Sequence, residues 1–322
     1  MRNPLKQHPK LALFFKAIGI ITALCIVIIA GLCLYPNRGR TTPAQTAEQI
    51  RSLIGASLDN QLKQAGFDKA PEFISIRIYK YDREIEVWGG QNKDEPLKRI
   101  ARYPVCAMDF TPGTKLKEGD HRTPEGSFEL SFLTNSRNWF MHINLTEDHI
   151  DDEGDASSDP SFYLCTDYPT KFDRELSKSA GINKPGSAIC VHGNCVSAGC
   201  ASMENHDFIE IYYWLTLHNT KLYGKPRSHI LPFRYYQPCY GWLGKSIAGI
   251  DIQTQTPVCS TKAYQSIDNL AIQTTGLNPI LNNLGPQKLV KLWQHIAKRE
   301  KLFYTNPTPQ NAELNMSMDI FK

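Results

Sequence analysis

The spacing of hydrophobic residues changes several times along the chain, and each change predicts a different element. Residues 17–35 (AIGIITALCIVIIAGLCLY) carry no charge. At about 1.5 Å per residue that run is just long enough to span a bilayer's hydrocarbon core. Residues 47–65 place Ile50, Leu53, Ile54, Leu58 and Leu62 at the three- and four-residue steps of an amphipathic helix. From Glu72 the period drops to two. Ile74, Ile76 and Ile78 alternate with Ser75, Arg77 and Tyr79, and after Asp82 and Arg83 a second run sets Ile85, Val87 and Gly89 on one face, which predicts a β-hairpin. Strands are expected over 99–106 and 126–133, on either side of a Pro/Gly/Asp-rich loop at 111–124, and a short one over 139–144. The acidic, turn-rich stretch 146–160 reads as a solvated surface loop. Residues 188–192 form a short apolar run, 209–217 a helical one opened by polar 204–207, and 229–235 closes the β-rich part. Beyond it, 237–276 has turn signals and no clean period, whereas 288–302 returns to a helical stripe through Leu289, Leu292, His295 and Ile296.

Charge gives the apolar run a direction. Arg2, Lys6, Lys10 and Lys16 precede it and only Arg38 and Arg40 follow closely, so residues 1–16 are expected in the cytoplasm, 17–35 as an anchor and the rest outside. A cleaved signal peptide is the alternative, but no small-x-small cleavage pattern follows the run. Lipid attachment fits less well, since Cys25 and Cys33 both follow a leucine. A net charge of +4, with no Lys/Arg run of five, gives no nucleic-acid footprint. With 41% hydrophobic and 21% charged residues, most of the chain is expected to fold. Seven of the nine cysteines (Cys106, Cys165, Cys190, Cys195, Cys200, Cys239 and Cys259) lie beyond the anchor, where an oxidising compartment allows disulfides. Seven is odd, so if six are paired or buried, one thiol is left over.

Candidate chemistry concentrates in residues 191–203 (VHGNCVSAGCASM), where His192 and Cys200 stand eight apart with a glycine beside each. A reactive thiol needs a group that draws off its proton, and an imidazole does so near neutral pH. A glycine before the nucleophile lets backbone approach a bound carbonyl, so amides near Cys200 could form an oxyanion hole. Two other readings use the same residues. Zinc could take Cys190, His192, Cys195 and Cys200, although the paired C-x-x-C spacing is missing, and a structural disulfide could take Cys195 or Cys200. No P-loop, Rossmann fingerprint or H-E-x-x-H is present, so no nucleotide or metal cofactor is required.

Residues 119–128 (GDHRTPEGSF), followed in order by His192-Gly193 and Ser197-Ala198-Gly199-Cys200, resemble the L,D-transpeptidase catalytic domain of the YkuD type. Ile76 to Lys80 with Glu84 to Trp88, then Tyr168-Pro169 with Phe172-Asp173-Arg174, then Pro232-Phe233-Arg234, are similar to its YafK-like (murein L,D-transpeptidase/amidase) branch, as are Leu292-Trp293 and Tyr304 with Pro307. The resemblance covers roughly 47–309, with an apparent insertion between Cys239 and Gly285.

The resemblance implies a mixed, β-rich sandwich or barrel over 72–237, preceded by the transmembrane helix and a linker with one helix (36–71), and followed by a small helical extension (238–322). It implies Cys200 as nucleophile and His192 as general base, with Gly199, Ser197 and Gly193 in the oxyanion hole or site loop. Arg174 is a candidate for a substrate carboxylate, against a structural ion pair with Asp173 or another acid, and Tyr168 is a further substrate-contact candidate. Ala198 and Ser202 stand where the broader family has histidine and often arginine, so no donor contact is assigned to Ser202. The implied partners are peptidoglycan stem peptides and an envelope lipoprotein attached to them, and the implied place is the bacterial inner membrane, with the catalytic domain periplasmic. The implied reaction is acyl transfer or hydrolysis through a cysteine thioester on the carbonyl of the stem peptide's diamino acid. Activity would rise with an apparent pKa below about 8.5, the value of a free thiol. A serine D,D-peptidase is excluded, because no serine has a lysine three residues on. The non-enzymatic alternative is a tethered wall-binding scaffold that keeps the fold without the chemistry.

Overall fold

The computed structural model describes residues 42–92, 94–134, 162–234, 247–250, 257–259 and 267–322. The apolar run at 17–35, the strand expected at 139–144 and the acidic loop at 146–160 lie outside them. Among the described residues no helix is long and apolar enough to cross a membrane. In chain order the elements are helix α1 (Pro43–Gln64), strands β1 (Phe73–Tyr79), β2 (Glu84–Gly90), β3 (Lys98–Pro104), β4 (Gly126–Thr134) and β5 (Phe162–Thr166), helix α2 (Lys171–Ser179), strands β6 (Cys190–His192) and β7 (Ala201–Ser202), helices α3 (Asn205–Thr216) and α4 (Thr220–Tyr223), strand β8 (Arg227–Leu231), strands β9 (Ile247–Ile250) and β10 (Pro257–Cys259), and helices α5 (Ile267–Leu277), α6 (Pro279–Leu284), α7 (Pro286–Thr305) and α8 (Pro309–Ala312).

Eight strands form one mixed sheet in the order β3-β2-β1-β8-β4-β5-β6-β7, and β9 pairs with β10 separately. Neighbours run antiparallel except β1 with β8 and β6 with β7. The two ends of this order meet. Just past β3, Ala107 bridges Ser202 of β7, with the Ser202 amide donating to the Ala107 carbonyl at 2.8 Å. The bridge brings the two ends of the sheet together at this one point, curling it into a half-barrel. The Cys106–Cys195 disulfide fastens the same seam.

The period-two hairpin is present, yet both faces of β1 are covered. Ile74, Ile76 and Ile78 are fully buried, and so, within a few per cent, are Ser75, Arg77 and Tyr79 on the other side. Helix α7 supplies the cover. Arg77 pairs with Glu300 in a fully buried ion pair, its guanidinium lies over the Phe303 ring, and the Tyr79 hydroxyl meets that of Tyr304 at 2.7 Å. Removing either partner of such a pair strands a charge in low dielectric. The residues expected as a C-terminal extension therefore share one core with the sheet: Tyr79, Leu116, Phe172 and Leu231 pack with Leu281, Leu289, Leu292, Trp293 and Leu314.

Helix α1 starts before the periodic stretch because Thr42 caps it with Gln45 in a capping box and Pro43 occupies its first turn. It packs on α3 through Gln61 to Glu210 at 2.6 Å and Arg51 to the Tyr213 hydroxyl at 2.8 Å.

Trp293 is fully buried and donates its indole N–H to Glu125 at 2.8 Å. Trp293→Ala is expected to cost about 3–5 kcal/mol. By contrast, Leu302→Ala at a 40% exposed position of the same helix should change stability by less than about 0.5 kcal/mol. Urea unfolding midpoints check this; equal small shifts would show that α7 does not belong to the core.

Candidate active site

Strands β6 and β7 pair Val191 with Ala201 and His192 with Ser202. Alternate residues of a strand share a face, so this register sets Cys190 and His192 beside Cys200 and Ser202. The Cys190 amide donates to Cys200 Sγ at 3.4 Å, which holds the sulfur against β6. Cys200 is a free cysteine. Cys165 and Cys190, cross-strand partners on β5 and β6, form the second disulfide. With Cys190 and Cys195 both oxidised, two members of the alternative zinc set are unavailable as thiolates. The same holds for the cluster of Cys106, Cys195 and Glu204, whose two sulfurs are bonded to each other.

His192 is buried, with the Tyr163 ring edge-on to it at 5.4 Å. Its Nδ1 lies 2.5 Å from the Gly193 carbonyl. A carbonyl can only accept, so Nδ1 carries the proton and Nε2 is left as the basic nitrogen. In the resting structure the imidazole bonds to Gly193 and the thiol to the Cys190 amide, not to one another. Catalytic hydrogen bonds commonly tighten only once substrate is bound.

The loop leading to Cys200 is held by close packing. Gly199 has φ 130°, and a β-carbon on it would stand 2.8 Å from the Arg122 carbonyl oxygen. Its own carbonyl accepts the Thr123 hydroxyl at 2.9 Å. The space expected to admit a substrate carbonyl at this glycine is thus filled by the protein's own backbone. Ser197 Oγ accepts the Gly199 amide at 3.0 Å and donates to the Cys200 carbonyl at 2.7 Å, so it braces the turn and occupies the Gly199 N–H. Ser202 is buried and props the same turn through the Gly193 and Asn194 carbonyls.

Behind this loop lies a buried charged cluster that the sequence pattern did not reveal. Lys80, at the end of β1, donates to the carbonyls of Gly113 and Thr123 at 2.8 and 3.0 Å and pairs with Asp109 and Glu125, each at 3.4 Å. Arg122 binds the carbonyls of Thr111, Pro112 and Gly113. Glu125 accepts the Gly113 amide at 2.6 Å. Asp120 accepts the amides of Leu116, Lys117 and Arg122 and pairs with Lys115 at 2.5 Å. The Thr-Pro-Glu-Gly turn is legible as a turn, but nothing in it announces that its acid is buried against a lysine from a distant strand.

Burial dominates the electrostatics of both central groups. It pushes the Cys200 thiol above its ordinary value, opposed in part by the Cys190 N–H and the charge of Lys115. It holds the His192 imidazole below its usual range, opposed in part by the bond to Gly193. Both groups are neutral, because desolvation penalises either charge. Tyr168 is buried, its hydroxyl donating to the Pro185 carbonyl at 3.1 Å and its ring against Phe128. Arg174 is exposed on α2 and bonds to the Pro169 carbonyl beside its own helix, while Asp173 forms the capping box with Thr170. Neither touches Cys200 or His192.

Residues 83–230 match the L,D-transpeptidase catalytic domain family, YkuD. The chain is 24% identical over 165 residues to the putative L,D-transpeptidase YafK of Escherichia coli K12, and equally to that of strain O157:H7, covering 50% of this chain and 54% of each relative. It thus spans about half the length of the curated relatives it matches. Among solved structures, Bd1075 of Bdellovibrio bacteriovorus aligns with 20% identity and a TM-score of 0.32 over 51% of this chain and 49% of that one. The helical cell shape determining protein Pgp2 of Campylobacter jejuni aligns with 18% identity and a TM-score of 0.30 over 55% and 56%. Residues 83–230, which include His192 and Cys200, are thus similar to the L,D-transpeptidase catalytic domain of the YkuD family.

Proposed function

We propose that the protein is a cysteine-dependent acyl-transfer enzyme of the bacterial cell wall, with Cys200 as nucleophile and His192 as general base. One observation carries this reading. The free sulfur is held beside β6 on the face that bears His192, whose Nδ1 is committed to Gly193 so that Nε2 is the basic atom. Because both groups start neutral, His192 Nε2 takes the thiol proton as Sγ attacks the carbonyl at the L-centre of the stem peptide's diamino acid. Backbone amides around Cys200 other than that of Gly199 receive the oxyanion, and His192 then returns the proton to the departing amine. An acyl-thioester remains on Cys200. An amine acceptor turns it into a cross-link or a protein attachment, and water releases it. The features that resemble the YafK-like (murein L,D-transpeptidase/amidase) branch favour hydrolysis of protein or peptide cross-links slightly over cross-linking. Arg174, whose guanidinium is exposed, is the cation offered to a substrate carboxylate. Tyr168 contributes to the wall of the cleft. The domain would work in the periplasm, tethered by residues 17–35.

A second reading, a tethered wall-binding scaffold, is favoured by the absence of a bond between the resting thiol and imidazole. Incubation with purified muropeptides, with and without an amine acceptor, and mass analysis of the products separates the two. Cys200→Ala should abolish every product, and His192→Ala should slow turnover by at least about 100-fold. Wild-type turnover by Cys200→Ala would end the proposal.

The pH profile follows from the sign of the shift at His192. The base must be neutral, and burial holds its pKa below about 6.5, so protonation removes it only at lower pH. The acid limb of kcat/KM should therefore have its midpoint below 6.5. A midpoint above 6.5 would mean that the base is not this buried imidazole.

A further inference from the structure

Asn205 is the first residue of α3, yet its side chain does not serve that helix: Glu204 is the N-cap, and the end carries no side-chain cap bond. Instead its Oδ1 accepts the Asn194 N–H at 2.9 Å. That N–H and the Gly193 carbonyl are the two ends of a single peptide group. The carbonyl end is the atom that accepts Nδ1–H of His192 at 2.5 Å. Oδ1 of Asn205, the peptide and the imidazole thus form one continuous hydrogen-bonded chain. A bond taken up at a peptide N–H shifts electron density toward its oxygen, so the two bonds strengthen each other.

A side chain at Gly193 and this placement of the Asn205 side chain exclude each other. A β-carbon on Gly193 would stand 2.2 Å from Asn205 Oδ1 and 3.4 Å from Asn205 Cα. The side chain rests directly on the peptide it binds. Rotation of that peptide would turn the Gly193 carbonyl away from His192, and Asn205 opposes it from the far side. The Ser202 hydroxyl reaches the same turn through the Asn194 carbonyl and, at 3.5 Å, the Gly193 carbonyl, which leaves the Asn194 N–H to Asn205.

We infer that Asn205 is a positioning residue for His192, acting through the Gly193–Asn194 peptide to fix the ring's tautomer and orientation. The inference rests on the reading of His192 as the general base. In a Ser-His-Asp triad a carboxylate holds the imidazole directly. Here a neutral amide pair holds it and brings no negative charge to the ring, so Nε2 stays basic without the imidazolium being favoured at rest.

The test uses the full chain in detergent, labelled with 15N-histidine, with the His192 ring signals assigned by their loss in His192→Gln. Asn205→Ala should shift the hydrogen-bonded Hδ1 resonance of His192 upfield or broaden it. It should lower kcat on muropeptides by about 10- to 100-fold, the scale for loss of an outer partner of a functional imidazole, with KM little changed. Asn205→Asp keeps the acceptor, so it should retain the Hδ1 resonance and recover most of kcat. Its added negative charge favours the imidazolium, so the His192 titration should move to higher pH. Asn205→Asp also serves if Asn205→Ala fails to fold by circular dichroism: loss of the Hδ1 resonance or an unmoved titration in a folded Asn205→Asp overturns the inference. An unchanged His192 spectrum in folded Asn205→Ala overturns it equally. Full activity of His192→Ala would instead overturn the underlying reading, and the ring spectra distinguish the two because they need no turnover.

Discussion

The carboxylate of Glu125 joins three parts of the molecule that meet nowhere else in the sequence. One oxygen takes the Gly113 amide and the ammonium of Lys80, and the other takes the indole N–H of Trp293. A loop, the end of a central strand and a C-terminal helix are thereby tied at one buried point. The arrangement suits a charge inside a protein, where an acid is tolerated when a cation and hydrogen bonds satisfy its lone pairs. It also decides where the Cys200 sulfur sits. The same loop carries Arg122 and Thr123, whose contacts with Gly199 set the backbone just before Cys200. Position at the sulfur is thus inherited from a polar cluster several residues behind it.

The site uses little charge of its own. Thiol and imidazole are both desolvated, the imidazole is oriented by a peptide carbonyl, and the nearest cation, Lys115, is already paired with Asp120. On the proposed reading such a pair would stay unreactive until a substrate carbonyl arrives, because separating charge between a partly buried sulfur and a buried nitrogen is costly without an oxyanion to balance it. A resting thiol of this kind resists chance oxidation and alkylation better than a standing thiolate would.

His192 and Cys200 were legible in the sequence as candidates, because the chemistry proposed for them needs particular residue types beside glycines. The hairpin, α1, α3 and α7 were legible because their apolar spacing is long and regular. Other parts were hidden for identifiable reasons. Strand β5 has five residues and α2 is mostly polar, its start marked only by Thr170 and Asp173, so neither offers a usable period. Helices α5 and α6 lie in a stretch broken by Gly276, Pro279 and Gly285. The alternation in β1 does not show that its polar side, Arg77 and Tyr79, is dry because α7 covers it. Period two reports polarity, and a polar face can be buried wherever a distant helix supplies its partners. The bridge between the sheet's ends at Ala107 and Ser202 was equally out of reach, since it depends on residues with no local signal of pairing.

The ion pair of Arg77 with Glu300 bears on the order in which the protein is made. A chain emerging from its N-terminus delivers β1 early and Glu300 late, so through most of synthesis the guanidinium has no carboxylate to meet. A half-made sheet cannot dry that face at acceptable cost and keeps it in water. Helix α7 is therefore what completes the sheet: only with it docked are Arg77 and Tyr79 covered and does Trp293 reach Glu125 behind Cys200. The packing behind Cys200 is thus completed by residues that lie far along the chain from it.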